Sequence, residues 1–486
     1  MTLHEVFERA RRSRDTRFDG QFYVGVRTTG IYCRPICPAN TPKSENVSFF
    51  PTAAAASEAG YRPCLRCRPE CAPGTSAWAG TSATVRRGLR LIANGALDDG
   101  SIEDLATRLG VTSRHLRRLF TRHLGASPLA VAHTQRLHFA KQLIDQTRLP
   151  MQDIAVAAGY GSVRRFNDSF VKTYGRSPRE LRRDGAAPAS AGPETALTVR
   201  LPCRMPFDWP ALLQFFAARA VPGVEAVDGD RYLRTVTLGG KPGVIELRQR
   251  AGELFLTMHG IDTPNVFVAV QRCREMFDLD APIREIGAVL SRDAVLEPLL
   301  RQNPGVRVPG CWDGFELAVR AILGQQVSVK AATTVAGRIA RAYGEPAPRQ
   351  GFPGLTHLFP EAGRLRRARL NNMGITRGRA ATLRRLANAV LDGSLSFDAS
   401  RDPSALRESL LDIPGIGEWT AQYVAMRALK NPDAFPAADL GLLRAFDRPG
   451  RRRLRPAQLE DMSQGWRPWR AYAALLLWGS APGTGG

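Results

Sequence analysis

Four cysteines fall in two close pairs near the start of the chain: Cys33 and Cys37 in TTGIYCRPICPA, then Cys64 and Cys67 in YRPCLRCRPEC. Soft ligands in two short-spaced pairs suit a tetrahedral zinc ion. Cys71, just beyond, is a spare that can in principle replace Cys67. Zinc holds such sulfurs as thiolates at neutral pH, and four thiolates on one Zn²⁺ carry a net charge of −2, so the ligands are also nucleophiles. A second reactive group stands far downstream. Asp439, in DAFPAADLGLLRAF, lies twenty-two residues past the last glycine of the hairpin Pro414-Gly415-Ile416-Gly417. An aspartate there serves as a helix N-cap, or as a carboxylate that stabilises developing positive charge and orients a water.

The elements around these residues separate into three blocks. Residues 1–72 hold five of the eight cysteines, and APGTSAWAGTSA (72–83) is a flexible linker. Residues 84–183 are helical in pattern and rich in arginine, and DGAAPASAGPETA (184–196) is a second linker. The large remainder, 197–486, is composite. The runs RYLRTVTL, GVIELRQ and ELFLTMHG predict strands, with amphipathic helices around Trp209–Ala220 and Asn265–Phe277; beyond about 288 helical periodicity dominates. The chain has 68 Lys+Arg against 45 Asp+Glu, a formal net charge of +23, which points to a polyanionic partner. No long apolar run suggests a membrane span, and the charged N-terminus MTLHEVFERARRSRD carries no secretory signal. The expected setting is therefore cytoplasmic and nucleoid-associated, where clustered cysteines read as metal or reactive sites, not disulfides.

The middle block contains a degenerate repeat. IEDLATRLGVTSRHLRRLFTRHLGASP parallels MQDIAVAAGYGSVRRFNDSFVKTYGRSP, each copy ending in Gly-x-Ser-Pro. In each, a short helix with inward Leu105, Ala106 and Leu109, or Ile154, Ala155 and Ala158, turns at Gly110 or Gly159. A second helix follows, with apolar Leu116, Leu119, Phe120 and Leu124, or Val163, Phe166 and Phe170; Ser101 with Asp104 caps the first helix. Two helix–turn–helix units follow, with Arg114, His115, Arg117, Arg118 and Arg122 on the exposed face of the first and Arg164 and Arg165 in the second. Such faces meet base edges and phosphates of duplex DNA. Over 84–183 this sequence resembles the AraC-type DNA-binding domain, which implies that a helix over Leu129–Gln146 joins the two units.

In LLDIPGIGEWTAQYVAMRAL a helix ends at the glycine hairpin and another begins at once, a helix–hairpin–helix that grips the DNA backbone without reading sequence. Hairpin and downstream aspartate together, with FDWPALLQFFAARAV, RVPGCWDGFELAVRAILGQQVSV and WRPWRAYAALLLW, resemble the AlkA-type 3-methyladenine DNA glycosylases over essentially all of 200–480. The resemblance implies that Asp439 is the catalytic carboxylate. It implies that Gly415, Ile416 and Gly417 hold the DNA backbone and that Trp419, Tyr423 and Trp478 form the base pocket. Strand-nicking relatives carry a lysine nucleophile where this chain has Trp419, so no Schiff base forms and the enzyme is expected to be monofunctional. No cysteine follows Cys311, which excludes the C-terminal iron–sulfur loop of other relatives. Where the family carries a bulky wedge, this chain has Gln325 and Gln326.

The first block, through FDGQFYVGVRTTGIYCRPICPA, ENVSFF and RPCLRCRPE, resembles the N-terminal domain of the Ada-type adaptive-response proteins. That implies Cys33 as an acceptor of methyl groups from DNA methylphosphotriesters, with Cys33, Cys37, Cys64 and Cys67 as ligands of one Zn²⁺, both structural and nucleophile-activating. Methylation would remove one negative charge from the site and strengthen promoter binding. Leu201-Pro202-Cys203-Arg204 lacks the histidine of an alkylguanine methyltransferase motif, so direct repair of guanine oxygen adducts is not expected.

The expected fold is multidomain α+β. A small zinc-binding domain (1–72) and an all-α double helix–turn–helix domain (84–183) precede an α+β piece (197–287), packed with an all-α helix–hairpin–helix glycosylase domain (288–486). The expected function is hydrolysis of the N-glycosidic bond of alkylated purines, of 3-methyladenine and 7-methylguanine type, by a fusion that also accepts methyl groups and regulates transcription. The alternative is a methylation-activated regulator whose glycosylase-like domain only binds alkylated DNA. Expected partners are damaged and promoter double-stranded DNA and RNA polymerase, with no membrane, no iron–sulfur cluster and a monomeric state.

Overall fold

The computed structural model describes residues 2–73, 83–98, 100–182, 196–348, 351–398, 401–447 and 453–480. Most of both expected linkers lies outside the described residues. Two compact units emerge: Met1–Arg204 with Arg250–Arg272 and Leu279–Pro282, and Met205–Gln249 with Cys273–Asp278 and Ile283–Gly486.

The first unit begins with α1 (Leu3–Arg12), closed by a capping box between Thr2 and Glu5. Its Ala10 packs with Phe18, Phe22, Val24 and Val47 into a small core. Four short strands, β1 (Tyr23–Val26), β2 (Ile31–Cys33), β3 (Val47–Phe50) and β4 (Arg62–Pro63), form a sheet in the order β3-β1-β2-β4. Strand β2 is antiparallel to β1 but parallel to β4, in register Tyr32↔Pro63. That parallel pairing brings the cysteine pairs together, because Cys33 and Cys64 follow the paired residues directly and Cys64 N–H donates to the Tyr32 carbonyl at 3.0 Å. Helix α2 (Ala53–Glu58) buries four alanines.

The repeat folds as two helix–turn–helix units after α3 (Ala83–Ala93). The first is α4 (Ile102–Arg108) with α5 (Ser113–Leu124), the second α7 (Met151–Ala157) with α8 (Val163–Tyr174), and α6 (Pro128–Gln146) joins them. Ser101 and Asp104 make the expected capping box. Gly110 and Gly159 turn at positive φ, +71° and +75°, and Gly125 and Gly175 close α5 and α8 in the left-handed conformation. The expected inward residues are buried with two exceptions. Leu119 is half-buried, and Val163 is exposed because it opens α8, one position after its Ser162 N-cap, where the helix has not yet reached the core. Ala196–Leu201 and Glu253–His259 pair as antiparallel strands in this unit.

In the second unit, Glu225–Asp228, Arg231–Leu238 and Lys241–Arg250 form an antiparallel meander, as RYLRTVTL and GVIELRQ predict. Helix Trp209–Ala217 buries Trp209, Leu212, Leu213 and Phe216. The helices Gly314–Leu323, Val329–Tyr343, Arg377–Leu391, Pro403–Leu411 and Glu418–Ala428 share one large core that includes Ile322, Ile339, Leu383, Leu410, Ile416 and Val424. A buried ion network ties strand to helix: Arg234 pairs with Glu225 (3.0 Å) and Glu316, and Arg320 with Glu225 (2.9 Å) and Glu316 (3.0 Å). Burial by itself raises the Glu225 carboxyl, but Arg320 and Arg234 outweigh it and hold it down to about 2. No helix among the described residues is long and apolar enough to cross a membrane.

Candidate metal centre and candidate active site

The four sulfurs of Cys33, Cys37, Cys64 and Cys67 lie within 4.8 Å of one another. Four Zn–S bonds of about 2.3 Å in a tetrahedron require sulfurs just under 4 Å apart, so the donor set and its geometry fit a zinc ion. Cys71 is outside this group and buried. The four are not equivalent. Cys64 and Cys67 are buried, Cys33 and Cys37 only half-buried. Arg34 N–H points to Cys67 Sγ at 3.3 Å, and the Arg34 guanidinium donates to the Cys67 carbonyl (3.1 Å) and to Asp19 (2.8 Å). These donors pin Cys67 and lower its appetite for an electrophile.

Around the cluster the small domain docks on α6. The Tyr32 hydroxyl, one residue before Cys33, meets His138 Nε2 at 2.8 Å. Arg68, one residue after Cys67 and itself at φ +54°, pairs with Asp145 (2.5 Å). Lys141 pairs with the same Asp145 at 2.5 Å and with buried Glu70 at 3.7 Å. Burial pushes the Glu70 carboxyl up against the pull of Lys141 and Arg68, and burial drives the His138 imidazole down to about 4. Thr52 Oγ1 donates to the Leu124 carbonyl (2.8 Å) and Ser127 Oγ to Glu58 (2.5 Å), which fixes the end of α5 as well. Sequence reasoning missed this interface, since its partners lie up to 106 residues apart.

Arg114, Arg117 and Arg118 of α5 and Arg164 and Arg165 of α8 are all exposed. Arg118 reaches His115 Nδ1 at 3.0 Å, while Arg117 and Arg164 only approach Glu103 and Asp168, at 4.0 Å each. Such pairs are open to exchange for phosphate.

In the second unit Asp439 is the N-cap of the short helix Leu440–Arg444, accepting from Leu442 N–H at 3.0 Å. The cap does not exhaust it. Trp419 Nε1–H donates to Oδ2 at 2.7 Å and Trp478 Nε1–H to Oδ1 at 2.8 Å, so each oxygen is aimed by an indole. Trp419 stacks on Tyr423 (centroids 5.3 Å apart, 10° between planes), and Trp478 meets Tyr423 edge-on. These four residues line one cavity of about 1680 Å³, whose wall also carries Phe215 and Arg219. Arg427 donates to the Tyr423 hydroxyl at 2.6 Å and to the carbonyls of Pro309 and Gly310. Burial would raise the Tyr423 hydroxyl, yet Arg427, Arg219 and Arg320 together hold it below the usual tyrosine value. None of these arginines was singled out from sequence; an i, i+4 Tyr423–Arg427 pair on one helix is the signal that was there to find.

The hairpin is locked from behind. Gly415 has φ +100°, and a Cβ on it would stand 2.0 Å from Thr382 Oγ1, so only glycine fits. The side chain of Ile416 is buried in the core, so any contact it makes with DNA is through its backbone. Gly417 is the N-cap of Glu418–Ala428 with no side-chain cap, which leaves first-turn N–H groups for an anion. Of the two glutamines where a wedge is expected, Gln325 is committed, donating to the Gly415 carbonyl and Thr420 Oγ1 at 3.0 Å each. Gln326 is exposed at φ +56°.

The fold and sites thus define a four-part molecule: a cysteine metal centre, paired helix–turn–helix units, an α+β piece and a helix–hairpin–helix repair domain. Family models match each part: the metal binding domain of Ada over 7–70, a helix-turn-helix domain over 105–184, the AlkA N-terminal domain over 198–313, and the HhH-GPD superfamily of base excision DNA repair proteins over 319–471. The chain is 43% identical over 485 residues to the Mycobacterium tuberculosis protein named "Probable bifunctional transcriptional activator/DNA repair enzyme AlkA", covering 98% of this chain and 97% of that one. It belongs to that family of bifunctional activator and repair proteins. Its C-terminal part is 36% identical over 278 residues to the Escherichia coli DNA-3-methyladenine glycosylase 2 (56% of this chain, 94% of the relative). A solved 3-methyladenine DNA-glycosylase from Archaeoglobus fulgidus shares the fold, with TM-score 0.50 and 20% identity over 58% of this chain and 97% of its own. The metal-binding assignment of the first part, with its four-cysteine cluster, makes Zn²⁺ the cofactor.

Proposed function

We propose that the second unit is a monofunctional DNA glycosylase that hydrolyses the N-glycosidic bond of alkylated purines. The observation that carries this reading is the Asp439 carboxylate held by two indole N–H groups at the wall of an aromatic cavity. A purine alkylated on a ring nitrogen is cationic, so it departs with the bonding pair as a neutral base while positive charge grows on the sugar. Asp439 stabilises that charge and orients the water, whose oxygen bonds to the vacated sugar carbon while its surplus proton passes to the Asp439 carboxylate and on to solvent. The two indoles fix the direction of the carboxylate oxygens while Trp419 and Tyr423 stack on the base. A cation–π contact is worth about 0.5–2 kcal/mol, and the Arg219, Arg320 and Arg427 charges near Tyr423 oppose part of it. Discrimination therefore rests mainly on the weakened glycosidic bond. The exposed amides at Gly417 take a phosphate, and Gln326 is the residue of the turn available to fill the gap left by the flipped base. No amine replaces Trp419, so strand cleavage does not follow base release.

The first unit accepts a methyl group on Cys33. When bound, one zinc ion keeps the four sulfurs as thiolates and folds the small domain. The Cys33 sulfur attacks the methyl carbon of a phosphotriester, the C–O bond breaks, and the phosphate leaves as an ordinary diester anion. Half-burial supports Cys33 over the buried Cys64 and Cys67, and family resemblance supports it over Cys37. The loss of one negative charge then favours promoter DNA under α5 and α8, with RNA polymerase as the eventual partner of a monomeric protein that holds no iron–sulfur cluster. Release of 3-methyladenine and 7-methylguanine from methylated duplex DNA tests the first reading; intact base counts after incubation with the wild-type chain would leave only the regulator that binds without cutting. Peptide mass spectrometry after exposure to methylphosphotriester DNA tests the second, with one added methyl on Cys33 expected and a methyl on any other residue overturning it.

A further inference from the structure

The segment 361–385 carries eight arginines against one glutamate. Its two helices, Ala362–Arg367 and Arg377–Leu391, bury Leu365, Ala380, Leu383 and Leu386 in the core, which sends the charge outward. Arg366, Arg367, Arg369 and Arg377 are exposed, and their side chains have no partner among the described residues. Arg364 is neutralised by Glu345 at 2.5 Å. The neighbouring helix Val329–Tyr343 adds exposed Lys330, Arg338 and Arg341. Its Arg338 lies against Gly374, and Tyr343 Oη–H donates to the Arg369 carbonyl at 2.9 Å, so the three helices present one basic face.

This face is continuous with the hairpin. Arg385 donates to the Pro414 carbonyl at 3.4 Å, Thr382 to the same carbonyl at 3.0 Å, and Arg379 to the Gln325 carbonyl at 2.5 Å, at the cavity wall. Arg379 and Arg385 thus stand beside the hairpin, and on the same helix Arg384 donates to the Ala368 carbonyl at 3.2 Å, which ties the segment of Arg366, Arg367 and Arg369 to it. A solvated helix face needs no such one-sided charge, and Arg–Glu pairs at helical spacing would serve solubility better.

We infer that Arg366, Arg367, Arg369 and Arg377 form a phosphate track for the duplex flanking the lesion, extending the grip of the hairpin without reading bases. The inference rests on the reading that this unit acts on duplex DNA. The track supplies footprint length and salt dependence, and the hairpin and cavity supply register.

The test uses the full-length chain and its R366Q/R367Q/R369Q variant, glutamine keeping helix propensity while removing charge. Binding to duplexes with a central abasic site is measured against salt, on lengths of about 30 and about 10 base pairs, where each phosphate contact contributes about 0.9 to the slope of log affinity against log salt. On the longer duplex the variant slope should flatten by about 2–3. On the shorter one, which ends before the track, wild type and variant should coincide. The helix–turn–helix contribution is common to both proteins and cancels. An unchanged slope on the long duplex, or equal losses on both lengths, overturns the track. R377Q, on the other helix, should flatten the long-duplex slope by about 0.9 and guards against a folding defect in the triple variant. Failure to release base from any duplex would defeat the catalytic reading and leave the slopes to decide the track.

Discussion

Cys33 ends a three-residue strand in a domain with two small core clusters, one of Ala10, Phe18, Phe22, Val24 and Val47 and one of Tyr23, Tyr32, Ala53 and Ala56. Asp439 caps a helix beside the extensive core of the second unit and is gripped through both oxygens by tryptophans from two other helices. Under the proposed function, one site holds its reactive atom with a metal, the other with packing. The first would suit an atom that is used once: the ligand set would need to survive only a single covalent change, and half-exposure would let a bulky phosphotriester approach. The second suits turnover, because the carboxylate must return to the same orientation after each base leaves, and rigid indoles on a packed scaffold ensure that.

The comparison can be broken most severely by removing the metal. Structural zinc sites of this kind contribute about 10–16 kcal/mol to folding, so a strong chelator should unfold the small domain and abolish methyl uptake. Base release should persist, since the second unit has its own core. Loss of both activities in parallel would mean the two sites are not independently held.

A smaller but still large effect is expected at the carboxylate. Asp439→Asn keeps the N-cap but removes the charge and replaces one of the two indole acceptors with an amide donor, and single-turnover base release should fall by about 10²–10³-fold or more. Methyl uptake on Cys33 should be unaffected, a readout that excludes general misfolding.

The docking face on α6 gives the next. His138 is driven down to about 4 by burial, against about 6.5 unfolded, so it is neutral when folded and gains a proton on unfolding. The stability that comes from this difference is fully present above about pH 6.5 and lost as pH falls toward 4, about 3 kcal/mol in all. Unfolding of the first unit by denaturant across that window should show the slope, and His138→Gln should flatten it while the second unit keeps its own profile.

The finest test separates aiming from stacking. Trp478→Phe retains a ring but deletes one donor to Asp439, and a hydrogen bond to a charged group is worth about 1.5–3 kcal/mol. The rate of the chemical step should drop roughly tenfold to a hundredfold with little change in KM. A rise in KM with an unchanged rate would make Trp478 a pocket wall only.

Much of this was legible in the residues. Two cysteine pairs announced a metal, and the 3.6-residue apolar spacing with Gly110 and Gly159 announced the two helix–turn–helix units. These signals are local, and local spacing survives in sequence. Val163 shows the limit: it keeps the spacing but sits where the helix begins, so it faces solvent. The indole–carboxylate bonds were hidden because Trp419 and Trp478 read as ring faces of a base pocket, and only three-dimensional proximity reveals which way an N–H points. Tyr32 with His138, and Arg68 with Asp145, were out of reach for another reason: each side is an ordinary polar residue, and nothing in either neighbourhood names its partner.

The close fit of the small domain on α5 and α6 also constrains how such proteins can be rearranged. A Cβ at Gly125, the residue that ends α5, would stand 3.0 Å from the Ala55 Cβ and 3.2 Å from the Pro51 ring. A reading module transplanted from another regulator would need glycine here, a histidine facing Tyr32 and an acid facing Arg68. The small domain and the helix–turn–helix units are thus matched surfaces, exchangeable together with little loss and separately only at the expense of both.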